Sequence, residues 1–345
     1  MAVLSTNNPT LADVAAALDP NGEIATIVEI LKTSSNDVLS SLTFQEGNLP
    51  TGHQSSIRTG IPTPTWRKLY GGVQPTAGSV AKVVDSIGML EDYAEVDKAL
   101  ADLNGNTAAF RMQEDTAHLQ GMNDTMASTL FYGNEGITPE AFTGLSPRFN
   151  SLAAANGLNI IDAGGTGSTN TSIWIVGWGP NSCFGMFPKG KIAGLQHRDI
   201  GEWTVNDDNG NPYQAYRSHF KWEMGLCVRD WRYIVRIANI DVTLLNGSSA
   251  ANLINLLVSA MHFFPTAPGS MAPVQTATKP AGVLGATRFA IYCNRNISAA
   301  LDRQALNKTN VLLRYSEWDG KPVTTFRGIP IRTVDKLLNT EARVV

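Results

Sequence analysis

Cysteine is scarce: Cys183, Cys227 and Cys293 are the only three in 345 residues, and they stand far apart. An odd number of widely spaced thiols excludes a disulfide framework and the short repeats of zinc sites, so they read as buried thiols. Histidine is nearly as rare. His53, His118, His197, His219 and His262 form no i, i+4 pair, and the chain has neither a G-x-S-x-G elbow nor an H-E-x-x-H helix. No catalytic set, metal or cofactor can be nominated, and the expectation is a protein that is not an enzyme. Long apolar runs are missing too. The most apolar window, ANLINLLVSAMHFF (251–264), is interrupted by Asn255, Ser259 and His262. It falls short of the roughly 20 apolar residues of a membrane span and reads as an amphipathic helix, with no membrane partner. The opening MAVLSTNNPT has no basic segment and no charged side chain before Asp13, so no secretory signal is read and cytoplasmic synthesis is expected. A net charge of -3 excludes the strongly basic class of nucleic-acid binders.

Three near-motifs fail on chemistry. GMFPKGK (185–191) has the G-x-x-x-x-G-K spacing of a phosphate loop, but Ile192 stands where Ser or Thr would reach magnesium and Pro188 removes an amide donor. DDNGNP (207–212) resembles a calcium loop, yet with Gly210 at the sixth position Val205 and Tyr216 occupy the carboxylate places, so a hairpin turn is predicted. AGGTGSTNTS (163–172) leads into SIWIVGW instead of a helix, and so lacks the context of a dinucleotide fingerprint.

One segment has no acid at all. Residues 47–84 contain six glycines, four prolines and the cations Arg58, Arg67, Lys68 and Lys82. Residues 1–46 carry six acids against Lys32 alone, and residues 85–124 carry nine against Lys98 and Arg111. A loop of this length in a compact domain is usually functional or disordered. Ile57, Ile61, Trp66, Leu69 and Tyr70 argue against disorder. The segment therefore reads as an arm that lies on another subunit. Its cations would meet acids of a neighbour, with Glu91, Asp92, Glu95 and Asp97 as candidates, while Trp66 and Tyr70 would anchor the contact.

The rest reads as α+β, without an internal repeat. Apolar spacing predicts two short helices over 11–31 and a long one from Asp92 to about Leu130, kinked at Asn104-Gly105-Asn106. The acid set 91–97 would then stand at that helix's start. Short strand-like runs follow at 159–162, 172–178 and 231–240, helical signals at 248–263 and 296–306, and extended segments at 310–315 and 324–332.

Several segments in order carry a resemblance: GNLPTGHQSSIRTGIPTPTWRKLYGGV (47–73), EVDKALADLNGN (95–106), LFYGN (130–134), FTGLSPRF (142–149), IDAGGTG (161–167), FPKGKIAGLQHRDIGE (187–202), VRDWRYIVRIANID (228–241) and FRGIPIRTVDKLLNTEA (326–342). Together they resemble the major capsid proteins of tailed double-stranded DNA phages, in particular the short-tailed group. The resemblance implies the Hong Kong 97-type fold, divided as an N-terminal arm (1–46), an extended loop (47–84), a peripheral domain with a spine helix (85–136), an axial domain (137–315) and a returning strand (316–345). Strand order is left open, because the chain stops soon after the GIP (328–330) that resembles a strand followed by a long segment in founding members. It further implies assembly in the bacterial cytoplasm, through pentamers and hexamers, into an icosahedral virion shell around double-stranded DNA, with scaffolding, portal and decoration proteins as further partners. An encapsulin-like compartment and a soluble hydrolase or nucleotide-binding enzyme are the alternatives.

Overall fold

A computed structural model describes residues 38–103, 107–207, 209–245, 247, 250–265, 287–306, 313–318 and 321–345. The helices expected over 11–31 and the kink at 104–106 lie outside these residues. In chain order the elements are α1 (Val38–Ser41), β1 (Phe44–Glu46), β2 (Gly52–Gly60), β3 (Ser79–Asp97), α2 (Lys98–Ala101), α3 (Thr107–Tyr132), α4 (Leu145–Arg148), β4 (Ile160–Asp162), β5 (Asn170–Trp178), β6 (Cys183–Phe187), β7 (Leu195–Asn206), β8 (Pro212–Val228), β9 (Ile234–Asp241), α5 (Leu253–Met261), β10 (Arg288–Cys293), α6 (Arg295–Leu306), β11 (Leu313–Trp318), β12 (Lys321–Phe326) and β13 (Ile329–Thr333). The α+β reading holds.

The strands join into one branched sheet of thirteen, running β11-β12-β13-β10-β5-β6-β8-β3-β2 along its main path. Its centre is β5, and all nine residues of that strand are buried. Helices cover both of its faces, so the hydrophobic/polar alternation of a half-exposed strand disappears. Ile173 and Ile175 enter one core with Val235, Ile237, Leu257, Ile291, Ile297 and Leu301, under α5 and α6. Trp174, Val176 and Trp178 enter the other with Met126, Leu130, Phe131, Leu145, Phe149 and Tyr292, under α3. The amphipathic window at 251–264 becomes α5, which buries Leu253, Ile254, Leu257, Ala260 and Met261. All three cysteines are free and buried, and burial pushes the Cys293 thiol up to about 12.

Two glycines explain sharp local geometry. Gly328 (φ +81) follows Arg327 (φ 50) in a two-residue turn that joins β12 to β13 through the Phe326–Ile329 pair, the left-handed turn that suits a twisted hairpin. At the end of α3, a Cβ on Gly133 would lie 2.5 Å from the Phe142 carbonyl oxygen, so only glycine lets the chain reverse there.

Two expectations, on the long helix and on the N-terminal arm, are corrected. The long helix begins at Thr107. Residues 92–97 instead continue β3, where from residue 88 onward Gly88, Ala94 and Val96 turn inward while Met89, Glu91, Tyr93 and Asp97 are exposed. That period of two outweighs the helical spacing of Val96, Leu100 and Leu103. The last part of the expected N-terminal arm belongs to the body: Val38 is fully buried and β1 pairs in parallel with β6. GMFPKGK ends a strand and opens a loop that leads to β7, so no helix stands behind it. The predicted turn at 207–212 is the β7–β8 hairpin turn, where the Asp207 carboxylate accepts from the Asn209 and Asn211 amides.

Candidate assembly surface

Residues 47–84 form a hairpin with a fixed base and a free tip. β2 and β3 pair antiparallel from Gly52–Ser86 to Gly60–Ser79, with an irregularity between Arg58 and Gly60. Asn48 ties the base, its side-chain amide donating to the Gln54 carbonyl at 2.8 Å and its oxygen accepting the Gln54 amide at 2.7 Å. Asp85, nearly fully buried, pairs with Arg148 Nη1 at 2.8 Å, and Arg148 also donates to the Thr143 and Leu226 carbonyls. This charged clamp fixes the hairpin to α4 and β8. Asp85 and Arg148 carry no sequence motif, so no signal pointed to them.

Beyond the clamp, little holds the tip. Gly71 donates to the Lys68 carbonyl at 3.1 Å and Arg67 Nε to the Gly71 carbonyl at 2.9 Å, a turn that carries Tyr70 in the left-handed region (φ 62). Trp66 and Tyr70 are as exposed as in an extended peptide (103% and 101%), and Leu69 and Ile61 nearly so. Such side chains gain nothing from their own fold, which leaves about 2 kcal/mol of transfer free energy each for a contact elsewhere. Arg58 and Lys82 lie exposed on the two strands. Among the described residues, none of Arg58, Arg67, Lys68 and Lys82 has an ion-pair partner.

The four acids expected to receive them sit on β3, beside β8, and each is engaged by its own chain. β8 pairs with β3 on one side and β7 on the other, and this platform lies against α3. The helix side is apolar: Ala94, Met122 and Phe220 pack with Leu90, Leu119 and Trp222. Asp92 faces that side and meets His118 Nδ1 on α3 at 2.7 Å. On the open side, Glu91 meets Lys221 Nζ at 3.0 Å and His219 Nε2 at 3.3 Å. Glu95 accepts from Arg217 Nε at 3.0 Å and from the Tyr213 hydroxyl at 2.7 Å. Asp97 caps α2 by accepting the Ala99 amide at 2.7 Å. The hydrogen bond from Lys221 holds Glu91 below the usual carboxylate range. At Glu223 burial opposes ionisation, but hydrogen bonds from Lys191 and Lys221 win and hold its carboxyl low as well.

This geometry offers no chemistry. Among the described residues no cluster of His, Cys, Asp or Glu could hold a metal ion, and no helix is long and apolar enough to cross a membrane. What stands out is a projection clamped at its base, cationic and aromatic at its end, on a sheet-and-helix platform.

A family model described as major capsid protein GP7 matches residues 19–345. A cryo-EM-derived structure of bacteriophage Epsilon15 is 44% identical, with a TM-score of 0.73, over 100% of this chain and 99% of that one. The bacteriophage JBD30 capsid (9% identity, TM-score 0.48, 95% and 99% covered) and the SrpI encapsulin of Synechococcus elongatus (12%, 0.41, 68% and 98%) are too distant to bear on function. No curated protein matched. With the match extending over nearly every residue, hairpin tip and platform included, the chain belongs to the major capsid protein GP7 family, and its role is that of a structural protein of a bacteriophage capsid.

Proposed function

We propose that the chain assembles with copies of itself, as rings of five and six, into a closed icosahedral shell around double-stranded phage DNA. The supporting observation is the hairpin tip. Trp66 and Tyr70 are fully solvated on a strand pair whose base is clamped, a conformation that makes sense when a second copy covers them. Arg67 and Lys68 stand beside those anchors in the chain, Arg58 and Lys82 lie on the two strands, and together these cations steer the approach. Each exposed pair would contribute only about 0 to 1 kcal/mol. Repetition around a shell adds such contacts while leaving each reversible, so misplaced subunits can leave.

The receiving surface in this reading is the open side of β3 and β8 on the neighbour. Glu91 and Glu95 act there together with the cations that already hold them, Asp97 joins them from the cap of α2, and Asp92 serves α3. In this division residues before 38 act as the arm, 47–84 as the extended loop, 85–136 as the peripheral domain, and most of 137–315 as the axial domain. Assembly takes place in the bacterial cytoplasm, with scaffolding, portal and decoration proteins as further partners. DNA contacts along the inner wall are sparse and salt-sensitive, since packed DNA must be held without regard to sequence.

The experiment is to change Arg67 and Lys68 together to Glu, and separately Trp66 to Ala, then image the lysates. Loss of closed particles with retained soluble protein supports the reading; intact particles in normal yield from both variants overturn it. Nuclease-protected DNA inside wild-type particles separates a genome shell from an encapsulin-like compartment.

A further inference from the structure

Residues 334–345 contain no strand or helix, yet Val334, Leu337, Glu341 and Val344 are all buried. The deepest contact is electrostatic. Arg236 on β9 is 2% exposed and sends Nη2 to Glu341 Oε2 at 2.8 Å, Nε to Ser172 Oγ at 3.0 Å and Nη1 to the Phe149 carbonyl at 2.7 Å. Its guanidinium lies 4.9 Å from the centre of the Trp174 ring. Ser172 and Tyr132 both donate to the Glu341 carboxylate, and the Glu341 amide donates to the Asn170 carbonyl at 2.9 Å. Asn239 holds Val344 from both sides, at 2.9 Å through its carbonyl and 2.8 Å through its amide. Asn294 donates to the Leu337 carbonyl at 2.7 Å, and Lys336 reaches Asp124 on α3 at 3.0 Å.

A segment without its own ladder thus ties together α3, β5, β9 and the start of α6, largely through side chains. It follows every other described element in the chain, so it can dock only once they have been synthesised. Before docking, Arg236 has no other ion-pair partner among the described residues, and a buried unpaired charge is strongly unfavourable. We infer that residues 334–345 are a latch, closed by the Arg236–Glu341 pair, and that a subunit enters the shell only after the latch has closed. An open latch leaves the paired strands and the apolar seat of α3 in place but removes two of that helix's polar ties, Tyr132 to Glu341 and Asp124 to Lys336. The platform that receives the neighbour's hairpin is then held less firmly. The inference rests on the shell reading above for its consequence, though not for the latch itself.

The test uses the full chain with Glu341→Ala, and the pair Arg236→Met with Glu341→Leu, which replaces two buried charges by apolar groups of similar size. Hydrogen exchange is measured on unassembled protein, and particle yield by sedimentation. For Glu341→Ala, amides of 334–345 should exchange at least about tenfold faster while β3 and β8 stay protected, with particle yield falling in parallel. The apolar pair should restore both. Unchanged protection of the segment, normal particle yield with the segment open, or particles still missing when the apolar pair has closed it would each overturn the latch. So would loss of protection across β3 and β8 together with the segment, since one cooperative core has no latch. If wild-type protein forms no particles, the shell reading fails while the exchange data still decide whether a latch exists.

Discussion

Trp66 and Phe220 are both large aromatic residues on the hairpin-and-platform half of the molecule, and they should respond to truncation in opposite ways. Phe220 is 1% exposed between Met122 and Ala94, so Phe220→Ala should destabilise the unassembled chain by about 3 to 5 kcal/mol, read from denaturant unfolding. Trp66→Ala should leave that unfolding curve within about 0.5 kcal/mol and lower particle yield instead. The carboxylates give a pH prediction. Glu91 and Glu223 are held below their ordinary 4.5, so their contribution is complete above that value and disappears as pH falls through the depressed folded values. Fluorescence of the unassembled protein, which includes the platform's Trp222, should therefore be flat from neutral pH to about 5 and change only below the ordinary carboxylate range.

At the level of elements, 47–84 was legible as an extended, acid-free segment, but the strands β2 and β3 at its two ends were not. The composition of 47–84, rich in glycine and proline and free of acid, marks an extended segment because its few large apolar residues are too scattered among turn formers to build a core of their own. The helix start was misplaced because Val96, Leu100 and Leu103 suit a helical face, while the two-residue alternation that governs 88–97 starts at a buried Gly88 and includes the half-buried Asp92, neither of which carries a hydrophobic signal. In β8, Tyr216, Phe220, Trp222 and Met224 repeat at even positions, but Ser218 interrupts them and charges fill the odd ones, so the strand was easy to pass over. Arg236 inside the apolar run IVRIANI was the one hint of a buried partner; Glu341 lies 105 residues away, and no local pattern connects them. Replacing residues 62–77 by a short turn should leave β2 and β3 paired and the chain soluble, yet abolish particles, as checked by circular dichroism and sedimentation.

For the whole molecule, one sheet shares its two cores between a side that is complete in the single chain and a projection that is not. β5 and its neighbours satisfy nearly all of their apolar surface internally. The tip keeps Ile61, Trp66, Leu69 and Tyr70 in water. That asymmetry is what a shell subunit requires: a body stable enough to persist before assembly, and contacts weak enough singly to be corrected during it. A cryo-EM reconstruction of the purified wild-type protein tests this most directly. Closed shells in which Trp66 and Tyr70 are buried against an adjacent subunit are predicted; solitary subunits at high concentration, with the tip in solvent or folded onto its own body, would contradict it.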